Sequence, residues 1–118
     1  MDYKMELTIT EYQHCHLIEV KGRVDSFSAP KIGQTLKTLI EDGHHNFVVD
    51  LEQVAFISSS GILVFVNAQK RLKMKTGGEI VFANVPQLIF SAVEIAGFDR
   101  IFTFYKDTLS AVESFQQD

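Results

Sequence analysis

Hydrophobic and polar residues follow one another along the chain with two periods, one typical of strands and one typical of helices. Five segments alternate in character or are rich in β-branched and aromatic residues, as strands are: residues 5–10, 15–20, 47–51, 79–83 and 102–104. Four further segments repeat apolar residues at helical spacing: they follow Ser28, span about 60–74, follow Pro86 and follow Asp107. The predicted order is therefore β-β-α-β-α-β-α-β-α.

This order predicts an α/β fold built on a mixed sheet. The first two strands are close enough to form a hairpin across residues 11–14, whereas helices separate the later strands, which should pair in parallel. Strand 47–51 is almost continuously apolar, which indicates a central strand buried on both faces. We expect a single domain, residues 1–118, with a mostly parallel sheet, an N-terminal hairpin and about four covering helices.

Local signals mark the ends of the predicted helices. Ser28 should cap the first helix, with Pro30 in its first turn and Gly43 as its left-handed stop. Asp107 should cap the last helix. One side of that helix has three apolar residues: Leu109, Val112 and Phe115.

Composition argues against several classes of function. The 118 residues carry a net charge of −4, whereas a nucleic-acid-binding protein would need clustered Lys and Arg. No apolar run approaches the roughly 20 residues that span a bilayer, and the N-terminus lacks the pattern of a secretion signal. The single Cys15 cannot form an internal disulfide, which fits a reducing compartment. We therefore expect a cytoplasmic protein that neither binds nucleic acid nor inserts into a membrane.

The segment after the central strand is the most informative part of the chain. The strand predicted to end at Leu51 leads through a short connection to Ser58, Ser59, Ser60 and Gly61, where a helix should begin. A helix N-terminus has unpaired N–H groups and the positive end of the dipole, so serine hydroxyls there suit a reversible phosphate. Alternatively, the three serines form only a well-capped helix start.

The apolar run behind the serines offers a surface for a partner protein. The residues expected to contact the partner lie in this turn, at the helix start and in an earlier turn: Asp25, Ser58, Ser60, Gly61, Ile62, Leu63 and Phe65. Gly61 would allow the partner to approach the backbone closely. Asp25 could instead be only a turn former. Two alternative pairs could pack on the sheet: Val64 with Ala68, or Phe65 with Leu72.

Residues with catalytic or metal-binding chemistry form no recognisable motif. Two histidines flank Cys15, and two more follow later in the chain: His14, His16, His44 and His45. In a strand His14 and His16 would share a face with Cys15 pointing away, so a zinc site is not expected. A nucleophile elbow would need glycine where Ile57 stands, and the chain has no phosphate-binding Gly-x-x-x-x-Gly-Lys-Ser/Thr loop. We expect no enzyme activity, no metal and no cofactor.

Four motifs occur in order over essentially the whole chain. They are Gly22-Arg-Val-Asp25; Val49-Asp50-Leu51 with Val54 and Phe56-Ile57; Ser59-Ser60-Gly61; and a closing segment from Ala83-Asn84-Val85 through Ala96-Gly97-Phe98 to Ile101-Phe102. Taken together they resemble the STAS domain family, in particular the single-domain anti-sigma factor antagonists of bacteria.

This resemblance implies a regulatory function. In the family, a serine kinase that doubles as the anti-sigma factor phosphorylates the first serine of Ser-Ser-Gly, which here is Ser59 rather than Ser58 or Ser60. The unphosphorylated protein would bind the anti-sigma factor and release a sigma factor, and a serine phosphatase would reverse the modification. The family usually has Asp where this chain has Ser58, which can still cap the helix but carries no charge.

The resemblance also leaves an alternative of a different class. STAS domains serve as constitutive scaffolds, including accessory subunits of lipid-transporting ABC systems. A sensor of a small ligand at the edge formed by Asp25 and Ser59 ranks third. A switch predicts that Ser59→Glu abolishes partner binding while the melting temperature stays nearly unchanged, whereas a scaffold predicts binding that is insensitive to this change.

Overall fold

The computed structural model describes residues 4–116 and confirms the predicted order of strands and helices. The strands are β1 (Glu6–Glu11), β2 (His16–Val24), β3 (Asn46–Ile57), β4 (Glu79–Ala83) and β5 (Thr103–Tyr105). The helices are α1 (Ala29–Glu41), α2 (Ser59–Lys75), α3 (Gln87–Ile95) and α4 (Thr108–Glu113). None of these helices is long and apolar enough to cross a bilayer, as far as the described residues extend.

The five strands form one sheet in the order β1-β2-β3-β4-β5. β1 and β2 pair antiparallel as the predicted hairpin, and the other neighbouring strands pair in parallel. A helix separates the two strands of each parallel pair in the sequence, as parallel pairing requires. The predicted α/β fold with a mixed sheet is therefore confirmed.

The helices divide between the two faces of the sheet. The larger core cluster contains buried residues of α1, α2 and α3 together with inward-facing residues of β2, β3 and β4. A smaller cluster on the opposite side joins α4 to the sheet through Ala111 and Val112. Phe47, Val48 and Val49 of β3 are fully buried, which confirms that this strand is central and covered on both faces.

β3 is longer than its sequence predicted. It pairs with β4 from Asn46 to Asp50. Beyond that point it continues to Ile57, and among the strands of residues 4–116 it pairs there with β2 alone. The pairing with β2 has two register shifts, and such bulges bend and twist a strand. The prediction of a connection after Leu51 was therefore wrong: the strand runs directly into the serine turn.

Three smaller details also differ from the prediction. β2 extends through Gly22 to Val24. Gly22 has a positive φ of 104°, and it lies so close to the backbone of Lys4 that a side chain would not fit there. β5 begins at Thr103, one residue after its predicted start. In α4 Val112 is buried but Leu109 is 67% exposed, because a six-residue helix lying on the sheet covers only a narrow stripe.

Candidate functional site

The candidate site is the turn that joins β3 to α2, which we call the serine turn (residues 58–61). Ser58 is the N-cap of α2, with extended backbone angles (φ −90°, ψ 171°), and its Oγ accepts a hydrogen bond of 3.2 Å from the N–H of Gly61. The N–H of Ser58 donates to the carbonyl oxygen of Val24 at 2.8 Å. The turn is thus held at both ends, by its own cap and by the end of β2.

Ser59 and Ser60 occupy the first two positions of α2 and are exposed. Their hydroxyls make no hydrogen bond within residues 4–116. The first turn of α2 contains no acidic side chain, whereas Lys73 and Lys75 lie in its last turn, where cations suit the helix dipole. The positive end of the dipole at the serines therefore has no negative side chain of its own helix to balance it.

Asp25 lies beside this turn, directly after Val24. Its Oδ1 accepts hydrogen bonds from the N–H groups of Phe27 (3.0 Å) and Ser28 (3.1 Å). These bonds, first of all the one from the Ser28 backbone, lower the pKa of Asp25 below its usual value, so the carboxylate is charged at neutral pH. Asp25 therefore has the turn-forming role that its sequence position allowed.

Ser28 does not cap α1 in the predicted way. It occupies the N-cap position, but its side chain makes no capping hydrogen bond. Its Oγ donates to the carbonyl oxygen of Arg23 at 2.8 Å and accepts from the N–H of Asp25 at 2.9 Å. The Asp25 carboxylate binds the N–H groups that precede α1, so Ser28 stabilises the turn instead of the helix.

Three residues predicted to contact a partner are buried in this protein. Ile62 is 4% and Phe65 1% exposed, and both belong to the large core. A Cβ at Gly61 would lie 2.6 Å from Cγ1 of Val24, so the close approach that needs glycine is made by β2 and not by a partner. Of the apolar residues predicted at this surface, Leu63 alone is exposed, at 44%.

The orientation of α2 explains why Ile62 and Phe65 are buried, and it shows which of the two predicted pairs packs on the sheet. Phe65 and Leu72 are fully buried, whereas Val64 and Ala68 are half-buried on the side of the helix that faces α1. Leu63 lies four residues after Ser59, and residues at this spacing are neighbours on a helix surface.

Two exposed aromatic residues on segments that adjoin the serine turn were not among the predicted contact residues. Phe27, in the turn that Asp25 organises, is 93% exposed. Phe56 is partly exposed on β3, and the Arg23 guanidinium lies 4.3 Å from the centre of its ring, a cation–π contact. The sequence contained one signal for Phe27, an aromatic residue between two serines of a polar turn; for Phe56 the length of β3 was needed first.

A second polar cluster lies where the pairing of β3 with β4 ends, at Asp50 of β3 and just beyond Ala83 of β4. Asp50, which is buried, accepts hydrogen bonds at Oδ2 from Thr108 (2.7 Å) and Asn84 (3.0 Å) and at Oδ1 from the N–H of Glu52 (2.9 Å). Asn84 has a positive φ of 54°. The Asp50, Asn84 and Thr108 side chains are hydrogen-bonded to one another, so the cluster joins α4 to the sheet.

The histidines gather at the opposite end of the sheet. The rings of His16 and His44 lie 4.2 Å apart, and burial, followed by His44, lowers the pKa of His16. Cys15 is buried in the smaller core, and burial raises the pKa of its thiol. Within the described part of the chain, no three His, Cys, Asp or Glu side chains are placed to hold a metal ion.

The serine turn can accept an anion, and within the described residues no base is hydrogen-bonded to Ser59 or Ser60. An exposed hydroxyl at a helix N-terminus can carry a phosphate that the dipole and nearby N–H groups stabilise. Activation of a serine as a nucleophile would need a base in hydrogen-bond contact with it, and neither Ser59 nor Ser60 has such a contact within residues 4–116.

Comparison with known proteins finds relatives that are named anti-sigma-B factor antagonists. The chain is similar to the anti-sigma-B factor antagonist of Listeria monocytogenes, with 28% identity over 101 residues that cover 86% of this chain and 87% of the relative. It is also similar to the anti-sigma-B factor antagonist of Staphylococcus aureus, with 26% identity over 93 residues, 79% of this chain and 85% of the relative.

Solved structures of low sequence identity share the fold. An anti-sigma factor antagonist from Mycobacterium paratuberculosis superposes with a TM-score of 0.87 at 17% identity, covering 99% of this chain and 98% of that one. The anti-sigma factor antagonist SpoIIAA superposes in its unphosphorylated form with a TM-score of 0.80 (15% identity, 92% of this chain, 95% of that chain). In its phosphorylated form, SpoIIAA of Bacillus gives a TM-score of 0.76 (15% identity, 94% and 100%).

Family membership follows from a match over most of the chain. The family model of the STAS domain matches residues 6–111, from the first residue of β1 into α4. The chain belongs to the STAS domain family.

Proposed function

We propose that this STAS protein is an anti-sigma factor antagonist that phosphorylation of Ser59 switches off. In its unphosphorylated form it binds an anti-sigma factor that is also a serine kinase, and this binding releases a sigma factor. Relatives named anti-sigma-B factor antagonists support this role. The observation that carries the proposal is the exposed, unbonded hydroxyl of Ser59 at the N-terminus of α2, where no side chain of the first helical turn supplies a negative charge.

Geometry favours Ser59 and Ser60 over Ser58 as the phosphoacceptor. Ser58 is half-buried and its Oγ is engaged with the N–H of Gly61, so a kinase would have to break the cap to reach it. Both remaining serines are exposed. Ser59 is preferred because it is the first serine of the Ser-Ser-Gly motif and shares a helix face with the exposed Leu63.

The switch acts through surface charge and leaves the fold intact. A phosphate adds a charge of about −1.5 to −2, which the N-terminus of α2 tolerates because of its dipole. SpoIIAA has the same fold in its phosphorylated and unphosphorylated forms, since both superpose on this chain. A partner that covers a neutral hydroxyl would instead have to desolvate a near-dianion. Each 1.4 kcal/mol lost in this way weakens binding about tenfold.

The surface around Ser59 supplies contacts for the partner in the unphosphorylated state. Leu63, Phe27 and Phe56 are exposed on the three segments that adjoin the turn, and Asp25 holds the loop that carries Phe27. Exposed aromatic side chains are typical anchors of protein interfaces. These residues, with Ser58 and Ser60 at the rim, replace Ile62 and Phe65 as the expected contact residues.

The protein itself is not an enzyme: ATP is used by the partner kinase, and a serine phosphatase removes the phosphate. No cofactor is needed, because binding and release involve only protein surfaces and one phosphate. We expect the protein to act in the bacterial cytoplasm together with these partners.

The test is a pull-down from the lysate of the source cell with Ser59→Ala and Ser59→Glu proteins as paired baits, and with Thr10→Glu, an exposed position at the far end of the β1–β2 hairpin, as control. We expect the Ala bait to capture an ATP-binding serine kinase and the Glu bait to lose it. Incubation of that kinase with ATP and wild-type protein should then give a phosphopeptide that contains phosphorylated Ser59. Capture of the same transporter ATPase by both baits, with no phosphate on any serine, would instead establish the scaffold alternative.

A further inference from the structure

Basic residues are concentrated on two helices of this acidic protein. α1 and α2 contain six of the chain's 11 Lys and Arg residues but only one of its 15 Asp and Glu residues, Glu41. The two helices pack side by side on the same face of the sheet. Their outer surface is therefore positive, although the chain as a whole has a net charge of −4.

A groove runs between these helices, which we call the α1–α2 groove. Its floor consists of apolar side chains from both helices: Leu36, Ile40, Val64 and Ala68. Lys37 and Arg71, both exposed, line its rim. The groove has a volume of about 170 Å³, which is below the roughly 300–1,000 Å³ of small-molecule sites. It can take one or two apolar side chains of a macromolecule better than a whole metabolite.

Gly33 keeps this groove open. It lies in the interior of α1, and no positive φ requires glycine there. A Cβ at this position would lie 3.7 and 3.9 Å from the two Cγ atoms of Val64, which is ordinary van der Waals distance. Glycine in a helix interior lowers helix stability relative to alanine, and here packing does not demand it. Its effect is to leave the groove deeper beside Val64.

The groove begins at Val64, one helical turn after the serine turn. Ser60, Val64, Ala68 and Arg71 follow one another at helical spacing along the side of α2 that faces α1. A protein that covers the serines can therefore continue into the groove without leaving the surface of the same helix.

We propose that the α1–α2 groove binds an acidic, amphipathic segment of the anti-sigma factor, as a second contact that rests on the proposed function. Apolar side chains of the segment fill the floor, as in other complexes in which a helix or strand docks into a groove. Its carboxylates face Lys37 and Arg71. The apolar floor favours a polypeptide over a nucleic acid, which would engage the basic rim alone.

The test measures the affinity of purified variants for the anti-sigma factor kinase captured with Ser59→Ala, by calorimetry at low and high salt. Gly33→Leu fills the groove and Arg71→Glu reverses a rim charge, so each should weaken binding at least about tenfold. Arg71→Glu should also reduce the salt dependence. Arg100→Glu makes the same exchange at an exposed residue outside the two helices and should change affinity less than about twofold.

Folding of each variant is checked by circular dichroism and thermal unfolding, and Gly33→Ala separates the two effects of glycine. Gly33→Ala should raise the melting temperature because it improves helix propensity, while it weakens binding less than Gly33→Leu does.

Three results would overturn the inference. If Gly33→Leu and Arg71→Glu bind like wild type while Ser59→Glu loses binding, the groove is not a contact but the proposed function stands. If no anti-sigma factor binds even Ser59→Ala, both fall. If wild type self-associates in sedimentation experiments and Gly33→Leu is monomeric, the occupant is a second copy of this chain.

Discussion

Helices α2 and α4 begin with the same capping hydrogen bond, but the capping side chain is neutral in α2 and charged in α4. In α2 the N–H of Gly61 donates to the Ser58 hydroxyl, and in α4 the N–H of Ser110 donates to the Asp107 carboxylate, in each case three residues after the cap. The cap of α4 is thus permanently charged at neutral pH. The cap of α2 is neutral.

The first residue of each helix carries a hydroxyl, but only the hydroxyl of α4 is hydrogen-bonded. In α4 this residue is Thr108, whose hydroxyl donates to the buried Asp50. In α2 it is Ser59, whose exposed hydroxyl has no partner within the described residues. A hydroxyl at a helix start is therefore not always available for modification. It is available only where no hydrogen bond already engages it, as is the case for Ser59 but not for Thr108.

The largest expected effect concerns the residue that fixes the start of α2. Gly61→Val should lower the free energy of unfolding by the upper end of about 1–3 kcal/mol, because the new side chain would overlap with Val24. Ser110→Ala, at the corresponding position of α4, should cost less because it removes atoms without a clash. Urea denaturation of both variants measures the difference, and equal losses would show that Gly61 has no special packing role.

The next effect tests the two first-turn hydroxyls. Thr108→Val keeps the shape of the side chain but removes a hydrogen bond to the buried Asp50, so it should cost about 1–3 kcal/mol of unfolding free energy. Ser59→Ala should change that free energy by less than about 0.5 kcal/mol. Chemical denaturation under identical conditions gives both values. A large loss for Ser59→Ala would mean that its hydroxyl has a structural role and is not simply available for phosphate.

The fold could be predicted from the sequence because most elements have a strong period and clear ends. Strand 79–83 and the cap at Asp107 were predicted correctly. The extension of β3 was missed because residues 52–57 pair with β2 alone, so their mixed polar and apolar pattern lacks the apolar continuity of residues 47–51.

The candidate site was predicted in position but not in orientation. The apolar run from Ile62 to Val66 allows several helix faces to be buried. In the structure Ile62 and Phe65 are buried and Leu63 is exposed, with Gly61 packed closely against Val24 of β2. Such a contact joins two segments far apart in the sequence, so local pattern could not supply it.

The smallest expected effect is the acid dependence of the two caps. The hydrogen bond from the backbone of Ser110 lowers the pKa of Asp107 below its usual 3.8. Its stabilising contribution is therefore complete above that pH and is lost as the pH falls through the folded-state pKa. Asp107→Ser, which gives α4 the neutral cap of α2, should make the melting temperature fall less steeply between pH 5 and about pH 2.5.

The reciprocal variant sharpens this last prediction. Ser58→Asp gives α2 the charged cap of α4, so it should add acid dependence in the same pH range. Asp25, whose pKa is also lowered, adds its own acid dependence to wild type and to Asp107→Ser alike. Melting curves recorded by circular dichroism at closely spaced pH values measure these slopes. Parallel curves for wild type and both variants would show that the charge of the cap does not distinguish the two helix starts, and the contrast between α2 and α4 would then reduce to the free hydroxyl of Ser59.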